Sequence, residues 1–207
     1  MGTTEGELNA VDRIREERLV VLLRKVADTI GLVDALASTG IRVVEVTLDS
    51  PDADASIARL RERGDVTVLA GTVLTPEDVE RAVAAGAEAC VSPTFAPEVV
   101  ARCLELGVPA IPGALTPTEI DAAWRAGAAM VKLFPAVVVG PRYLRDLAGP
   151  LGPVPLLATG GVDAENAGAF LAAGAAAVAA GSAVTSADDP LAAARALVEA
   201  VRAAEPA

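Results

Sequence analysis

The sequence predicts an α/β protein, a single (β/α)8 barrel of the TIM type with a leading N-terminal helix. Three observations carry this expectation. A glycine followed by an apolar run recurs at Gly40, Gly86, Gly107, Gly127 and Gly174, at steps of about 20 residues or multiples of that step. The runs are apolar almost throughout, as parallel strands covered on both faces must be. The stretches between them are amphipathic and several open on a residue pair that starts helices, at Ser50-Pro51, Thr75-Pro76, Thr116-Pro117 and Gly140-Pro141.

In chain order, the polar stretch Glu5 to Arg18 reads as the leading helix. Eight strands follow, at Leu19–Leu23, Arg42–Thr47, Thr67–Ala70, Ala89–Ser92, Ala110–Pro112, Met130–Phe134, Pro155–Ala158 and Ala177–Ala180. Helices fill the intervals, with the recurring glycines as their C-caps. A last, alanine-rich helix runs from Pro190 to Ala204. We expect one domain over residues 1–207, with the leading helix inside 1–18. A doubly wound open sheet is the alternative to barrel closure.

Composition narrows the function. Apolar residues make up 53% and aromatics only 2%, so the core is built of Ala, Val and Leu. A net charge of −11 argues against nucleic acid and anionic membranes, which both need a basic face. No apolar run approaches the roughly 18 residues of a membrane span, and the start lacks the apolar core of a secretory signal. The two cysteines, Cys90 and Cys103, fall in apolar strand and helix patterns. Both read as buried, reduced thiols of a cytoplasmic protein. Histidine is absent, which removes imidazole acid–base chemistry and the usual zinc ligand sets.

Barrels of this kind place their chemistry at the C-terminal ends of the strands. Those ends carry Arg24-Lys25, Glu45 and Thr47, Gly71-Thr72, Ser92-Pro93, Pro112-Gly113, Lys132 and Phe134, Thr159-Gly160-Gly161, and Gly181-Ser182. Of 17 basic residues only Lys25 and Lys132 are lysines, and Lys132 lies inside a strand. Strand alternation puts Met130, Lys132 and Phe134 on one face. If that face is the interior, burial disfavours the ammonium form, and the neutral amine is the form that attacks a carbonyl. A lysine snorkelling from a strand end is the bland reading. Glu45 shares a face with Val43 and Thr47 and needs a cation, from Lys132 or Arg24. It reads as a proton shuttle or as a structural ion pair. The Gly160-Gly161 and Gly181-Ser182 pairs suit backbone binding of a phosphate, or simply tight turns. Thr72 and Thr159, taken singly, read as turn or capping hydroxyls.

The segments Glu45–Leu48 (EVTL), Ala70–Pro76 (AGTVLTP), Ser92–Pro93, Ile111–Gly113, Val131–Ala136 (VKLFPA), Thr159–Val162 (TGGV) and Ala180–Ser182 closely resemble the 2-keto-3-deoxy-6-phosphogluconate and 4-hydroxy-2-oxoglutarate aldolases. The resemblance spans Leu19 to Ala183, most of the chain. It implies a trimeric class I aldolase acting on a small 2-keto acid, without metal or cofactor. It places the Schiff base on Lys132 and acid–base duty on Glu45. It assigns carboxylate binding and pocket lining to Arg24, Thr72, Pro93, Phe134 and Thr159, and the phosphate to Gly160, Gly161, Gly181 and Ser182. The chain departs from the family at Asp49, where many members carry arginine after the EVTL motif. A Leu-Asn-Ser-Pro continuation resembles the 6-phosphogalactonate branch, which keeps an arginine at the end of strand one. The resemblance therefore leaves carboxylate binding to Arg24. The competing functions are a phosphate-binding sugar-phosphate epimerase or isomerase, and a non-catalytic metabolite-binding barrel.

Overall fold

A computed structural model describes residues 9–204, so the part of the expected leading helix before Asn9 lies outside the described residues. The helix α1 (Ala10–Glu17) is followed by the strands β1 (Leu19–Leu23), β2 (Val43–Thr47), β3 (Thr67–Gly71), β4 (Cys90–Val91), β5 (Ala110–Ile111), β6 (Gly113–Ala114), β7 (Val131–Leu133), β8 (Leu156–Thr159) and β9 (Ala177–Ala180). The helices α2 (Thr29–Ala37), α3 (Ala53–Arg63), α4 (Pro76–Ala85), α5 (Pro97–Leu106), α6 (Pro117–Arg125), α7 (Ala136–Leu151), α8 (Ala167–Ala172), α9 (Ser182–Thr185) and α10 (Pro190–Ala203) alternate with them.

All pairings are parallel, in the order β5-β4-β3-β2-β1-β9-β8-β7-β6. The two ends of that order, β5 and β6, are separated only by Pro112, so the sheet closes on itself and the open-sheet alternative falls. The expected fifth strand is thus two short pieces. Proline has no N–H to give to a ladder, so β5 pairs with β4, β6 pairs with β7, and Pro112 contributes only its carbonyl, which accepts from the Lys132 N–H at 2.9 Å.

Alternation along the strands separates two apolar layers. Outward side chains such as Val21, Val44, Val68 and Val131 meet the helices. Inward side chains, including Val20, Val43, Leu69, Val91, Ile111, Met130, Leu157 and Ala179, fill the barrel and join the apolar face of α1, Ala10, Val11 and Ile14. The helix α1 starts at Asn9, whose side chain accepts from the Val11 and Asp12 N–H groups, and it plugs the N-terminal end of the barrel.

The expected helix starts divide. Thr75 and Thr116 cap α4 and α6 in full capping boxes with Asp78 and Glu119, and Gly86 and Gly107 end α4 and α5 in left-handed conformations. Ser50 does not cap a helix. Its Oγ accepts from the Lys25 N–H at 2.8 Å and bonds the Thr47 hydroxyl at 2.9 Å, and α3 begins later, at Ala53. Pro141 starts a helix as expected, but an unexpected turn of helix precedes it and the two join at a break at Gly140 (φ 70°, ψ 173°). Among the described residues no helix is long and apolar enough to cross a membrane.

Ile14 is fully buried in the plug. Ile14→Ala should lower the unfolding free energy by about 2–4 kcal/mol in urea titrations. Catalytic activity per folded molecule should not change, because α1 closes the end opposite the strand C-termini.

Candidate active site

A further set of inward positions stands beyond the apolar plug, two residues along seven of the eight staves of the barrel. Val43 leads to Glu45, Leu69 to Gly71, Val91 to Pro93, Ile111 to Gly113, Met130 to Lys132, Leu157 to Thr159 and Ala179 to Gly181. The residues that the sequence places at the strand ends therefore share the inward face, because a strand repeats its face every second residue, while the register staggers them, Glu45 pairing with Leu69 and Lys132 with Leu157. Three of these seven positions are glycine, so the layer is thinly filled around its two charges.

Those charges are Lys132 and Glu45. Lys132 sits in β7, 4% exposed, and Glu45 in β2, 0% exposed. Around the closed sheet β2 and β7 face each other across the barrel. Lys132 Nζ lies 3.4 Å from Glu45 Oε1, so Lys132, not Arg24, is the glutamate's partner. That separation is longer than the roughly 2.7–2.9 Å of a tight charge-assisted bond. Glu45 Oε2 has no hydrogen-bond partner among the described residues. A buried carboxylate with a free oxygen beside a loosely held amine is poised for proton exchange with a third group. Phe134 covers the amine, its ring centroid 5.6 Å from Nζ.

Sequence reasoning placed Gly71 at a strand end but gave it no role of its own. A Cβ at this position would lie 2.2 Å from Glu45 Oε1. The absence of a side chain is what lets the glutamate fold against β3. The signal available was a glycine at an inward position on the strand next to the glutamate.

The other expected residues line the rim. Thr72 has φ 58°, a left-handed conformation that a β-branched residue rarely adopts. Such strain clusters at functional sites. Thr159 is buried and its hydroxyl donates to Leu157 O at 3.2 Å. Pro93 is half-buried, its carbonyl lying against Gly113. Gly160 and Gly161 have a packing role of their own. A Cβ on Gly160 would press on the Phe134 ring at 3.0 Å, and one on Gly161 would meet Val137 at 2.5 Å. The Val137 N–H donates to Gly160 O at 3.1 Å, fastening the lysine strand's loop to the next. Gly181 is half-buried over Leu22 and Ser182 is exposed at the start of α9.

Arg24 is drawn to Asp49, with Nε and Nη2 at 3.1 and 2.9 Å from Oδ2. Lys25 Nζ adds a second cation at 3.8 Å. Burial pushes the Asp49 carboxyl up. Hydrogen bonds from Thr47 and Arg24 and the charges of Arg24 and Lys25 outweigh it and leave the group below its usual range. Asp49 is therefore a neutralised carboxylate, not a bare negative charge at the mouth.

A cavity of about 960 Å³ lies at the other end of the barrel beside α1 and is lined by none of these residues. We place the chemistry at the strand C-termini, where the unpartnered carboxylate oxygen and the buried amine are.

The family model described as "KDPG and KHG aldolase" matches residues 11–197. A 2-dehydro-3-deoxy-phosphogluconate aldolase of Treponema pallidum is 43% identical over 165 residues, covering 79% of this chain and 78% of that protein. A solved structure described as native KDPGal superposes with a TM-score of 0.85 at 32% identity, covering 90% of this chain and 95% of that one. A KDPG aldolase from Legionella pneumophila, solved with pyruvate captured as a covalent carbinolamine, gives a TM-score of 0.76 at 28% identity and covers 90% of this chain and 93% of that one.

Gly71→Ala tests the seat of Glu45. The added methyl must push the carboxylate away from Lys132, so turnover should fall at least about tenfold while the thermal midpoint moves by only a few degrees. An unchanged kcat measured in a pyruvate-release assay would mean that Glu45 adapts without loss.

Proposed function

The chain belongs to the KDPG and KHG aldolase family, and from that premise we propose that it cleaves a 2-keto-3-deoxy-6-phospho sugar acid or 4-hydroxy-2-oxoglutarate to pyruvate and an aldehyde through a Schiff base on Lys132. The observation that carries this reading is the buried Lys132–Glu45 pair, an amine and a carboxylate 3.4 Å apart in an otherwise apolar barrel.

The neutral amine of Lys132 attacks the keto carbon, and the resulting carbinolamine loses water to give a protonated imine. Glu45 returns a proton to the departing hydroxyl and then takes the proton of the C4 hydroxyl. The C3–C4 bond breaks as the C4 oxygen becomes an aldehyde, and its electron pair moves into the iminium to form an enamine. Protonation at C3 and hydrolysis release pyruvate and restore the amine. Phe134 excludes water from one side of Nζ.

Arg24 holds the substrate carboxylate, with Thr72, Pro93 and Thr159 lining the pocket around it. The backbone at Gly160, Gly161, Gly181 and Ser182 meets the far, phosphorylated end. We further propose a cytoplasmic homotrimer. The exposed Val137 and Val138, just beyond the lysine strand, suit a subunit contact, and the unlinked, buried Cys90 and Cys103 suit a reducing compartment. Family membership favours this reading over a sugar-phosphate epimerase or isomerase. The retained amine–carboxylate pair favours it over a non-catalytic barrel.

Borohydride reduction in the presence of pyruvate should add one pyruvyl-derived mass, located at Lys132 by peptide mapping. Lys132→Met should abolish the adduct, and equal labelling of that variant would remove the proposal's basis. Glu45→Gln should lower kcat by roughly 100-fold or more while borohydride still traps the imine, because the carboxylate moves protons and does not form the covalent bond. Full turnover in Glu45→Gln would reduce the residue to an ion-pair partner.

A further inference from the structure

We propose that Asp49 is a positioning and specificity-determining residue, which turns Arg24 so that one edge of its guanidinium is left to grip the carboxylate of a 2-keto acid. The proposal rests on the aldolase reading and deepens it.

A guanidinium offers two faces to an anion, the side edge of Nε and Nη2 and the end edge of Nη1 and Nη2. Both hydrogen bonds of Arg24 among the described residues go to a single oxygen, Asp49 Oδ2, and both come from the side edge. The end edge keeps its parallel pair of N–H groups, the geometry that matches a carboxylate with two bonds. The backbone beneath is fixed independently. The Lys25 N–H donates to Ser50 Oγ at 2.8 Å, Ser50 bonds the Thr47 hydroxyl at 2.9 Å, and Lys25 itself is left-handed at φ 52°. The β1–α2 and β2–α3 loops are thus stapled, while the Arg24 side chain is 58% exposed and its side-chain hydrogen bonds among the described residues go to Asp49 alone. Its direction depends on Asp49.

The charges at this corner support the same division of labour. Arg24 and Lys25 face the single carboxylate of Asp49. The corner keeps one net positive charge, which suits one carboxylate group. Arginine in place of Asp49 would raise this to three and favour more highly charged substrates.

The test reads the pyruvate concentration at which borohydride traps half of the protein at Lys132, by intact mass. Wild type, Arg24→Ala, Asp49→Ala, Asp49→Asn and the Arg24→Ala/Asp49→Ala double variant are compared. Arg24→Ala should raise that concentration more than about tenfold, as loss of a charge-assisted contact does. Asp49→Ala should raise it about fivefold, the upper range for a solvent-exposed pair, with the same plateau of labelling. Asp49→Asn keeps an acceptor oxygen and should recover part of the loss. The double variant should be no worse than Arg24→Ala, since Asp49 acts through Arg24. The proposal is overturned if Asp49→Ala lowers the half-trapping concentration, because Asp49 then merely competes with substrate, or if the two single effects multiply in the double variant. Wild type that takes no pyruvyl adduct at any concentration overturns the aldolase reading itself.

Discussion

The structure depends on keeping two opposite charges inside an apolar barrel without locking them together. A buried ion pair loses hydration that only good geometry offsets, and one left imperfect is a liability to the fold. Here Lys132 and Glu45 stand 3.4 Å apart and Glu45 Oε2 goes unbonded among the described residues. The fold sustains this because the barrel interior below the pair is an apolar cluster. The inward Val, Leu, Ile and Met residues and the apolar face of α1 carry the stability. Beside the pair, Gly71 leaves the space that the Glu45 carboxylate occupies. Stability and reactivity are thus assigned to successive layers of the same strands.

Much of this was legible in the sequence because a strand's period is two. Once Met130 and Val43 are taken as interior, Lys132 and Glu45 must be interior too, whatever the details of the barrel. The strand count was readable from the glycine spacing and the apolar runs, except at Pro112. Closure there depends on which neighbour each short piece pairs with, and a three-residue apolar run does not state that. Ser50 misled because Ser-Pro is a good helix start locally, yet its hydroxyl is drawn across to the neighbouring loop, a tertiary contact that outweighs capping. Asp49 was legible as a departure from the family motif but not as a partner, since its meaning depends on Arg24, 25 positions away in the chain. Gly160 and Gly161 show the reverse problem. Their glycines fit an anion-binding loop, and the close approach of Phe134 and Val137 explains them without one. Gly71 was read at the rim but not as the seat of Glu45, because a missing side chain gives no chemical cue of its own.

The contacts around the lysine strand tie its two sides unequally. On one side its amide meets Pro112 and β7 pairs with β6 over two residues, and on the other β7 pairs with β8 over three. Beyond it the chain turns over Gly160 and Gly161 and enters α7, which breaks at Gly140 after a single turn. The Lys132 amine is therefore carried on a strand held from both sides, and β8 on one of them ends in Thr159, just before the glycine pair. A change at that pair is felt at Phe134, and through Phe134 at Nζ.

The scarcity of lysine gives this barrel an unusual chemical address. Its only two side-chain amines have opposite access, with Lys25 65% exposed at the mouth and Lys132 5% exposed in the interior. A bulky acylating dye or a resin-bound ester has one side-chain amine within reach, and that amine stands 3.8 Å from the carboxylate that turns Arg24. Conjugation at Lys25 would set a fluorophore beside the entrance without mutagenesis, the α-amino group being the other amine open to acylation. The same chemistry applied to immobilisation would fix the molecule mouth-down, against the support and away from its substrate.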